Sequence, residues 1–337
     1  MRIFLSVTRD CPGMPTSVLA PEDWDDTAAL AEQAESLGYH GIWLTELWGR
    51  DAFASLSEAA TVTDDLELGT AIVNVYGRSP ATLAQATATL VGVAGDRVRL
   101  GLGTSTKKAI EDLHGMEFGN PPRRLHESVE LTREFLTAEG RVDYDGEMFD
   151  VADFPALGAE VPIYAAALGP SNRRATGRTA DGWLPHNIPF DTLGEAFETV
   201  AETAESQGRD PAAIETAPYV PSAVSDDPEE AKSAIRGHVA YYVGSGEGYR
   251  KAVAEHFDAA DDVADAWRAG DRGDAREAVT DEMVEALGVA GTPEQAREQF
   301  DRIEAIDAID EPIVVIPVGT EQETAQHTIE QLAPEKR

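Results

Sequence analysis

Two short stretches of this 337-residue chain carry residue types that hold an anion through the backbone. In the first, Gly101-Leu102-Gly103-Thr104-Ser105-Thr106, small residues and three hydroxyls end an apolar run. Glycine lets backbone approach a ligand closely, and hydroxyls with free N–H groups supply the donors. Lys107 and Lys108 follow, two of only five lysines in the chain. The competing reading is a turn with capping hydroxyls. In the second stretch, Gly169-Pro170-Ser171 parts the apolar run Pro162–Leu168 from an arginine-rich helical segment, Asn172–Thr179. A strand end meets a helix start there, so N–H groups and the positive end of the helix dipole converge. A glycine-proline turn alone is a weak signal. Two anion-friendly loops on neighbouring strands are a stronger one.

Further candidates stand at the ends of other apolar runs. Glu46 follows GIWLT. A carboxylate leaving a buried strand can serve as an acid or base with a raised pKa, and a helix cap or surface salt bridge is the alternative. His186 ends GWLPH, where a histidine is a structural hydrogen-bonder about as often as a catalyst. Trp43, Trp48, Tyr76 and Trp183 could line an apolar pocket for a planar ring, although Trp43 and Trp183 lie within strands and suit the core equally. The single cysteine, Cys11, excludes an internal disulfide and a Cys-based metal site, and reads as loop filler. There is no HExxH, no evident Ser-His-Asp order and no dense His/Asp cluster, so no metal is expected and a metal hydrolase is disfavoured.

These residues need a scaffold, and periodicity supplies one. Strands are predicted at Ile3–Val7, Gly41–Thr45, Leu66–Val75, Val98–Leu102 and Pro162–Leu168, from Gly182, within Glu215–Val224, and at Pro312–Pro317. Helices are predicted at Trp24–Leu37, Ala52–Thr63, Pro80–Gly92, Pro122–Thr137, Asn172–Thr179, Thr192–Gln207, between Pro228 and Leu287, from a Thr292/Gln295 capping box to Ala305, and at Glu321–Leu332. Arg141–Tyr144 and Glu147–Val151 read as a hairpin about a tight Asp145-Gly146 turn. Eight strands alternating with helices point to an α/β fold, a (β/α)8 TIM barrel occupying residues 1–337 as one domain, with a helical insertion at 225–290 between strands 7 and 8. The rival doubly wound sheet would carry GxGxxG in its first βα turn, and Thr8–Pro15 lacks it. In a barrel the site lies at the strand carboxyl ends. Those ends supply Thr8, Arg9, Glu46, Asn74, Tyr76, Gly103, Thr104, Ser105, Gly169, Pro170, Ser171, His186 and Asn187.

Charge sets the surroundings. Lys and Arg number 27 against 62 Asp and Glu, a net charge of −35, while 42% hydrophobic residues support a packed core. Nucleic acid is an unsuitable partner for a chain without a basic stripe. No run of ~18 apolar residues suggests a membrane span. MRIFLSV runs directly into a strand without a leader pattern, so a cytoplasmic location is expected. Self-repulsion at this charge is largely screened at molar salt, where the Debye length is about 3 Å. Strong acidity with scarce lysine resembles the cytoplasmic proteins of salt-accumulating haloarchaea.

The stretches AEQAESLGYHGIWLTEL, ELGTAIVNVYGRSPATLAQA, RVRLGLGTS, PPRRLHESVELTREFL, VPIYAAALGPSNRRATGRTADGWLPH and GTPEQAREQFDRI, in this order, resemble the bacterial luciferase-like flavin and deazaflavin oxidoreductases. The chain is most similar to the branch that uses coenzyme F420. The resemblance implies a (β/α)8 barrel with its ring cofactor at the strand carboxyl ends. It implies a non-proline cis peptide near Ala71-Ile72, in a bulge that backs the ring, with Asn74 at the ring edge. It places the cofactor phosphate at Thr104–Thr106 and Gly169–Ser171, and it implies a homodimer or higher homo-oligomer through helices 2 and 3. Many relatives have Asp-His after strand 2, whereas this chain has Glu46-Leu47, which removes a catalytic histidine there.

The expected activity is hydride transfer between F420 and a small organic acceptor, with reduction of a methylene group on a pterin or folate one-carbon carrier as the closest analogy. Glu46 is the expected acid or base, and His186 the expected substrate contact. Cofactor contacts are expected from Thr8, Ala71, Ile72, Asn74, Gly103, Thr104, Ser105, Gly169, Pro170 and Ser171. The alternatives are an FMN-dependent monooxygenase and a non-catalytic flavin- or deazaflavin-binding barrel.

Overall fold

The computed structural model describes residues 14–22 and 24–337. Ten parallel strands form one curled sheet. They are β1 (Ser17–Ala20), β2 (Gly41–Glu46), β3 (Glu67–Asn74), β4 (Val98–Gly103), β7 (Ile163–Ala166), β8 (Gly182–Leu184), β9 (Glu215–Thr216), β10 (Tyr219–Val224), β11 (Val289–Gly291) and β12 (Ile313–Val315). Between β4 and β7 the chain makes a separate antiparallel hairpin, β5 (Arg141–Asp145) with β6 (Asp150–Pro155). The large sheet runs β11-β10-β12-β1-β2-β3-β4-β7-β8-β9. Its far members, β9 and β10, are consecutive pieces of one chain stretch. Ala217 N donates to Trp183 O at 2.9 Å and Tyr219 N to Pro185 O at 3.0 Å, so this stretch lies along β8 before β10 joins β12.

The curl gives the sheet two apolar faces. One, with Val18, Ile42, Leu68, Leu100, Ile163 and Val314 among its residues, is part of the main core with the helices. The other gathers Leu19, Trp43, Ala71, Tyr164, Leu184, Ala217, Tyr219, Ile313 and Val315 into a separate cluster. Trp43 and Tyr164 meet edge to face at 5.3 Å although their strands are not neighbours. Adjacent glycines make room for both rings. A Cβ on Gly69 would fall 2.2 Å from Trp43, and one on Gly182 would fall 2.1 Å from Tyr164.

The helices are α1 (Thr27–Ser36), α2 (Ala52–Ala60), α3 (Pro80–Ala94), α4 (Pro121–Thr137), α5 (Pro170–Thr179), α6 (Leu193–Ser206), α7 (Pro228–Ser245), α8 (Glu247–Ala254), α9 (Ala260–Ala269), α10 (Arg272–Glu277), α11 (Asp281–Leu287), α12 (Pro293–Glu304) and α13 (Gln322–Gln331). Local chemistry sets their starts. Asp26, Asp51 and Ser79 cap α1, α2 and α3 through their side chains. Thr292 and Gln295 form the expected capping box on α12. Helices α7 to α11 build a second apolar core around Ile235, Val239, Val243, Val263 and Met283.

Three expectations change. The predicted first strand, Ile3–Val7, lies outside the described residues, as do Thr8, Arg9 and Cys11. Ser17–Ala20, where no strand was expected, lies between β2 and β12. The hairpin is present, but its connection is the four residues between Asp145 and Asp150, not a tight Asp-Gly turn. That loop wraps the fully buried carboxylate of Glu127, which accepts from the backbone N–H groups of Glu147, Met148 and Phe149. Burial opposes that charge, but these bonds and Arg123 hold the carboxyl below its usual range. Finally, β11 falls where no strand was expected and pairs with the upper half of β10.

At the strand amino ends a buried ion cluster ties the sheet together. Arg99 on β4 contacts Glu311, lies 3.4 Å from Glu67 and 3.9 Å from Glu215, and sits 2.9 Å from His40 Nε2. Ser17 on β1 also donates to Glu311.

Candidate active site

The residues singled out at the carboxyl ends of β2, β3, β4 and β7 stand on four consecutive strands. Glu46 pairs with Val73, Asn74 with Gly103, and Gly103 with Ala166. Glu46, Asn74, the Gly103–Ser105 turn and the Gly169–Ser171 turn therefore follow one another along a single rim.

The centre of that rim is an irregularity in β3. The peptide Ala71–Ile72 is cis, at the position the resemblance implied. Pairing to β2 shifts between Leu44 and Glu46, and pairing to β4 shifts between Gly69 and Val73. Side chains make up for the interrupted ladder. Thr70 Oγ1 donates to Gly101 O at 2.9 Å and accepts from Gly101 N at 2.8 Å. Tyr219 Oη donates to Ala71 O at 2.7 Å. Strand β4 lies so close that a Cβ on Gly101 would fall 1.9 Å from Thr70 O, and one on Gly103 would fall 2.9 Å from Ile72. The glycines of GLG serve this approach as well as any ligand.

The flanking groups are engaged with their neighbours. Arg78 grips Glu46 in bidentate fashion, at 2.9 and 2.8 Å, and Ala52 N donates to Glu46 at 3.0 Å. Arg78 also bridges to Asp51 and lies 5.1 Å over Phe53. Glu46 is thus both a salt-bridge partner and a cap on α2, the alternative weighed from sequence. Asn74 is buried; its Oδ1 accepts from Tyr76 N at 3.0 Å and Gly77 N at 2.6 Å, and its Nδ2 lies 3.2 Å from His114 Nε2. Tyr76 is buried too and stacks on Phe118. Trp43 and Trp183 are core residues, while Trp48 is 55% exposed.

The two anion candidates differ. Ser105 has φ of 55°, a conformation that side chains rarely adopt, and Thr106 Oγ1 caps Ala109 N at 3.2 Å. Lys107 and Lys108 are largely exposed and pair with Glu111 and Asp112 on their own helical turn, so they point to no anion. At the second turn, Gly169 precedes α5 without any side-chain cap. Two buried polar atoms of the first turns, Asn172 Oδ1 and Arg173 Nε, have no hydrogen-bond partner. Burial pushes the Arg173 pKa down. An uncapped helix start beside an unsatisfied guanidinium edge suits an anionic ligand.

His186 is enclosed. Its Nε2 lies 3.1 Å from His238 Nε2 on α7, and its ring packs at 5.0, 4.4 and 5.7 Å from Tyr219, Tyr242 and Tyr249. Burial drives its pKa well below the ordinary histidine range, and His238 adds to the effect. Burial alone pushes His238 down to about 3. Both rings are therefore neutral, one donating and the other accepting. Next to them Asn187 is buried with φ of 56° and no partner for either amide atom.

From sequence the helical insertion is expected to cover part of the pocket, but its tyrosines were not singled out. Tyr241, Tyr242 and Tyr249, on α7 and α8, lie over the rim. Tyr241 reaches Trp48, and a Cβ on Gly246 would be 3.6 Å from Thr106. Glu22, at the carboxyl end of β1, shares a recess with Thr45, Arg50 and Ser55, and its charge acts on Tyr241 and Tyr242. The signal for Glu22 was the apolar SVLA ahead of the helix start, obscured by the stronger apolar run at Ile3–Val7. Among the described residues no group of three His, Cys, Asp or Glu could hold a metal ion, and no helix is long and apolar enough to cross a membrane.

The profile of the luciferase-like monooxygenase family matches residues 1–308. The chain is 30% identical to the 5,10-methylenetetrahydromethanopterin reductase of Methanolobus tindarius over 303 residues, covering 88% of this chain and 92% of that protein. It superposes on the coenzyme F420 dependent tetrahydromethanopterin reductase of Methanopyrus kandleri with a TM-score of 0.80 and 26% identity, over 95% of this chain and 97% of the other. An F420-dependent secondary alcohol dehydrogenase, solved with an F420-acetone adduct, shares the fold with a TM-score of 0.77 at 18% identity, over 96% and 99% of the two chains.

Proposed function

The chain belongs to the luciferase-like monooxygenase family and is an enzyme of it, and from that premise we propose that it is a coenzyme F420-dependent oxidoreductase. On this reading hydride moves between the deazaflavin and a small organic acceptor. A methylene group on a pterin-type one-carbon carrier is the first candidate acceptor, because the reductases named above are relatives over most of the chain. We read the curled sheet as a (β/α)8 barrel, with residues 225–290 inserted between its seventh and eighth strands. The acidic surface fits a salt-rich cytoplasm.

One observation carries the cofactor assignment. The α5 N-terminus has no cap, and unpartnered Asn172 Oδ1 and Arg173 Nε stand beside it, one strand from the Gly103–Ser105 turn. The free helix N–H groups and Arg173 Nε suit an anionic tail, and Asn172 Oδ1, an acceptor, suits a hydroxyl on it. The same rim carries the β3 irregularity, a surface of backbone and small side chains suited to the flat face of a ring. When bound, the deazaflavin supplies a ring carbon that gives or accepts hydride. The protein's tasks are then to orient, to exclude water and to manage one proton. Ala71 and Ile72 would back the ring, with Asn74, Gly103, Thr104, Ser105, Gly169, Pro170 and Ser171 around its remaining edge and tail. Tyr241, Tyr242 and Tyr249 would keep water from its open side. Glu46 would handle the proton, which requires Arg78 to yield one carboxylate oxygen. His186, enclosed behind the tyrosines, would hold Tyr219 and Tyr242 in place rather than touch the substrate.

Titration with F420 and with FMN at molar KCl, followed by fluorescence, tests the assignment. F420 should bind in the micromolar range or tighter. Tight FMN binding without F420 binding overturns the proposal in favour of a flavin monooxygenase. Binding of F420 with no hydride exchange to any acceptor would indicate a non-catalytic carrier.

A further inference from the structure

Tyr219 begins β10, with two residues between it and the end of β9, and its ring packs among the inner cluster with Ala71. It is 9% exposed. Its hydroxyl crosses the curl to β3, which is not its sheet neighbour, and donates to the carbonyl of Ala71 at 2.7 Å. That carbonyl belongs to the segment in which β3 loses its regular register with both β2 and β4. Thr70 makes up the missing bonds on the β4 side. On the inner side, the Tyr219 hydroxyl is the group that takes the Ala71 carbonyl. The other edge of the Tyr219 ring rests on His186 at 5.0 Å, and His186 is in turn fixed by His238 of α7. The phenol is thus braced from behind by the helices that cover the rim.

We propose that Tyr219 is a positioning residue for the ring cofactor, holding the Ala71 carbonyl and through it the backbone against which the ring lies. The role rests on the cofactor reading above. Removing the hydroxyl leaves the ring packing intact and frees only the carbonyl. That loosens the backing surface without touching the ring itself.

The test is Tyr219→Phe, with Tyr39→Phe as its control. Tyr39 is also buried and donates to Ile329 O at 2.7 Å, at the amino end of β2, away from the rim. Both variants lose one buried tyrosine-to-carbonyl hydrogen bond, so both should lower the thermal midpoint similarly. Only Tyr219→Phe should weaken F420, raising its dissociation constant about fivefold to tenfold, as expected for one hydrogen bond. An unchanged dissociation constant in Tyr219→Phe, with normal binding by the wild type, reduces Tyr219 to a structural residue and overturns the proposal alone. Equal weakening in both variants does the same, since the effect is then general loosening. A wild-type protein that binds neither F420 nor FMN refutes the cofactor reading together with this role.

Discussion

Arg99→Met should cost this protein a large part of its stability. Glu311 is almost inaccessible, with 3% of its side chain exposed, and Arg99 is its contacting cation. At an effective dielectric constant of about 20, unit charges about 4 Å apart attract by about 4 kcal/mol before desolvation is counted. Removing one member of a buried pair leaves the other charge uncompensated, at about 3–5 kcal/mol. Ser17 still donates to Glu311, which favours the lower part of that range. Urea unfolding of both proteins in molar KCl measures the deficit. Its pH dependence tests the cause. In the wild type, burial opposes the Glu311 charge, but Arg99, His40 and Ser17 prevail and hold its pKa below the usual carboxylate range. That contribution is present above the unfolded-state pKa, about 4.3, and is lost as pH falls through the folded value. Without Arg99, burial prevails, the folded pKa rises above the unfolded one, and the native state gains from taking up a proton. The deficit of Arg99→Met should therefore shrink between pH 7.5 and 5. A deficit below about 1 kcal/mol, or one that ignores pH, would mean that the cluster is solvated and that the amino ends of the strands are not sealed.

Two further outcomes follow from charge. His186 and His238 are buried neutral, with pKa values depressed below about 6.5, so the unfolded chain binds protons that the native state refuses. Stability should be flat above pH 6.5 and fall below it, by at most about 1.4 kcal/mol per pH unit for each ring. His238→Gln should make that slope shallower in pH-resolved unfolding, and an unchanged slope would show that the pair is hydrated. The net charge of −35 should make the thermal midpoint rise steadily from 0.1 to 2 M KCl, and a midpoint insensitive to salt would count against a halophilic protein.

Element positions were legible because most of them rest on local signals. Pro80, Pro293 and Thr292 mark helix starts where they were expected, and every expected strand from Gly41 onward falls within the sheet or at its rim. The failures are those of tertiary choice. Ser17–Ala20, where no strand was expected, lies between β2 and β12. Its short path into the helix capped by Asp26 and the bond from Ser17 to the buried Glu311 hold it there. Likewise β11, three residues long, has no periodicity to detect, and it pairs along the last three residues of β10, an edge that would otherwise be open.

The site divides along the same line. Backbone features could be read from glycines and hydroxyls, because close approach leaves a compositional mark: Gly101 and Gly103 are small for the reason that Thr70 and Ile72 press on them. Side-chain roles could not, because they depend on which partner folding brings. For Glu46 the sequence left an acid or base and a salt-bridging cap open, and Arg78, from the next βα unit, settles its partner. His186 was read as facing a substrate, but residues 52 and more positions onward, His238, Tyr242 and Tyr249, enclose it. A residue whose chemistry is set by its own backbone is visible in sequence. A residue whose chemistry is set by a distant neighbour becomes visible only when the neighbour is placed, which is why Tyr219, an unremarkable strand residue by pattern, emerges only from its bond to Ala71 across the curl.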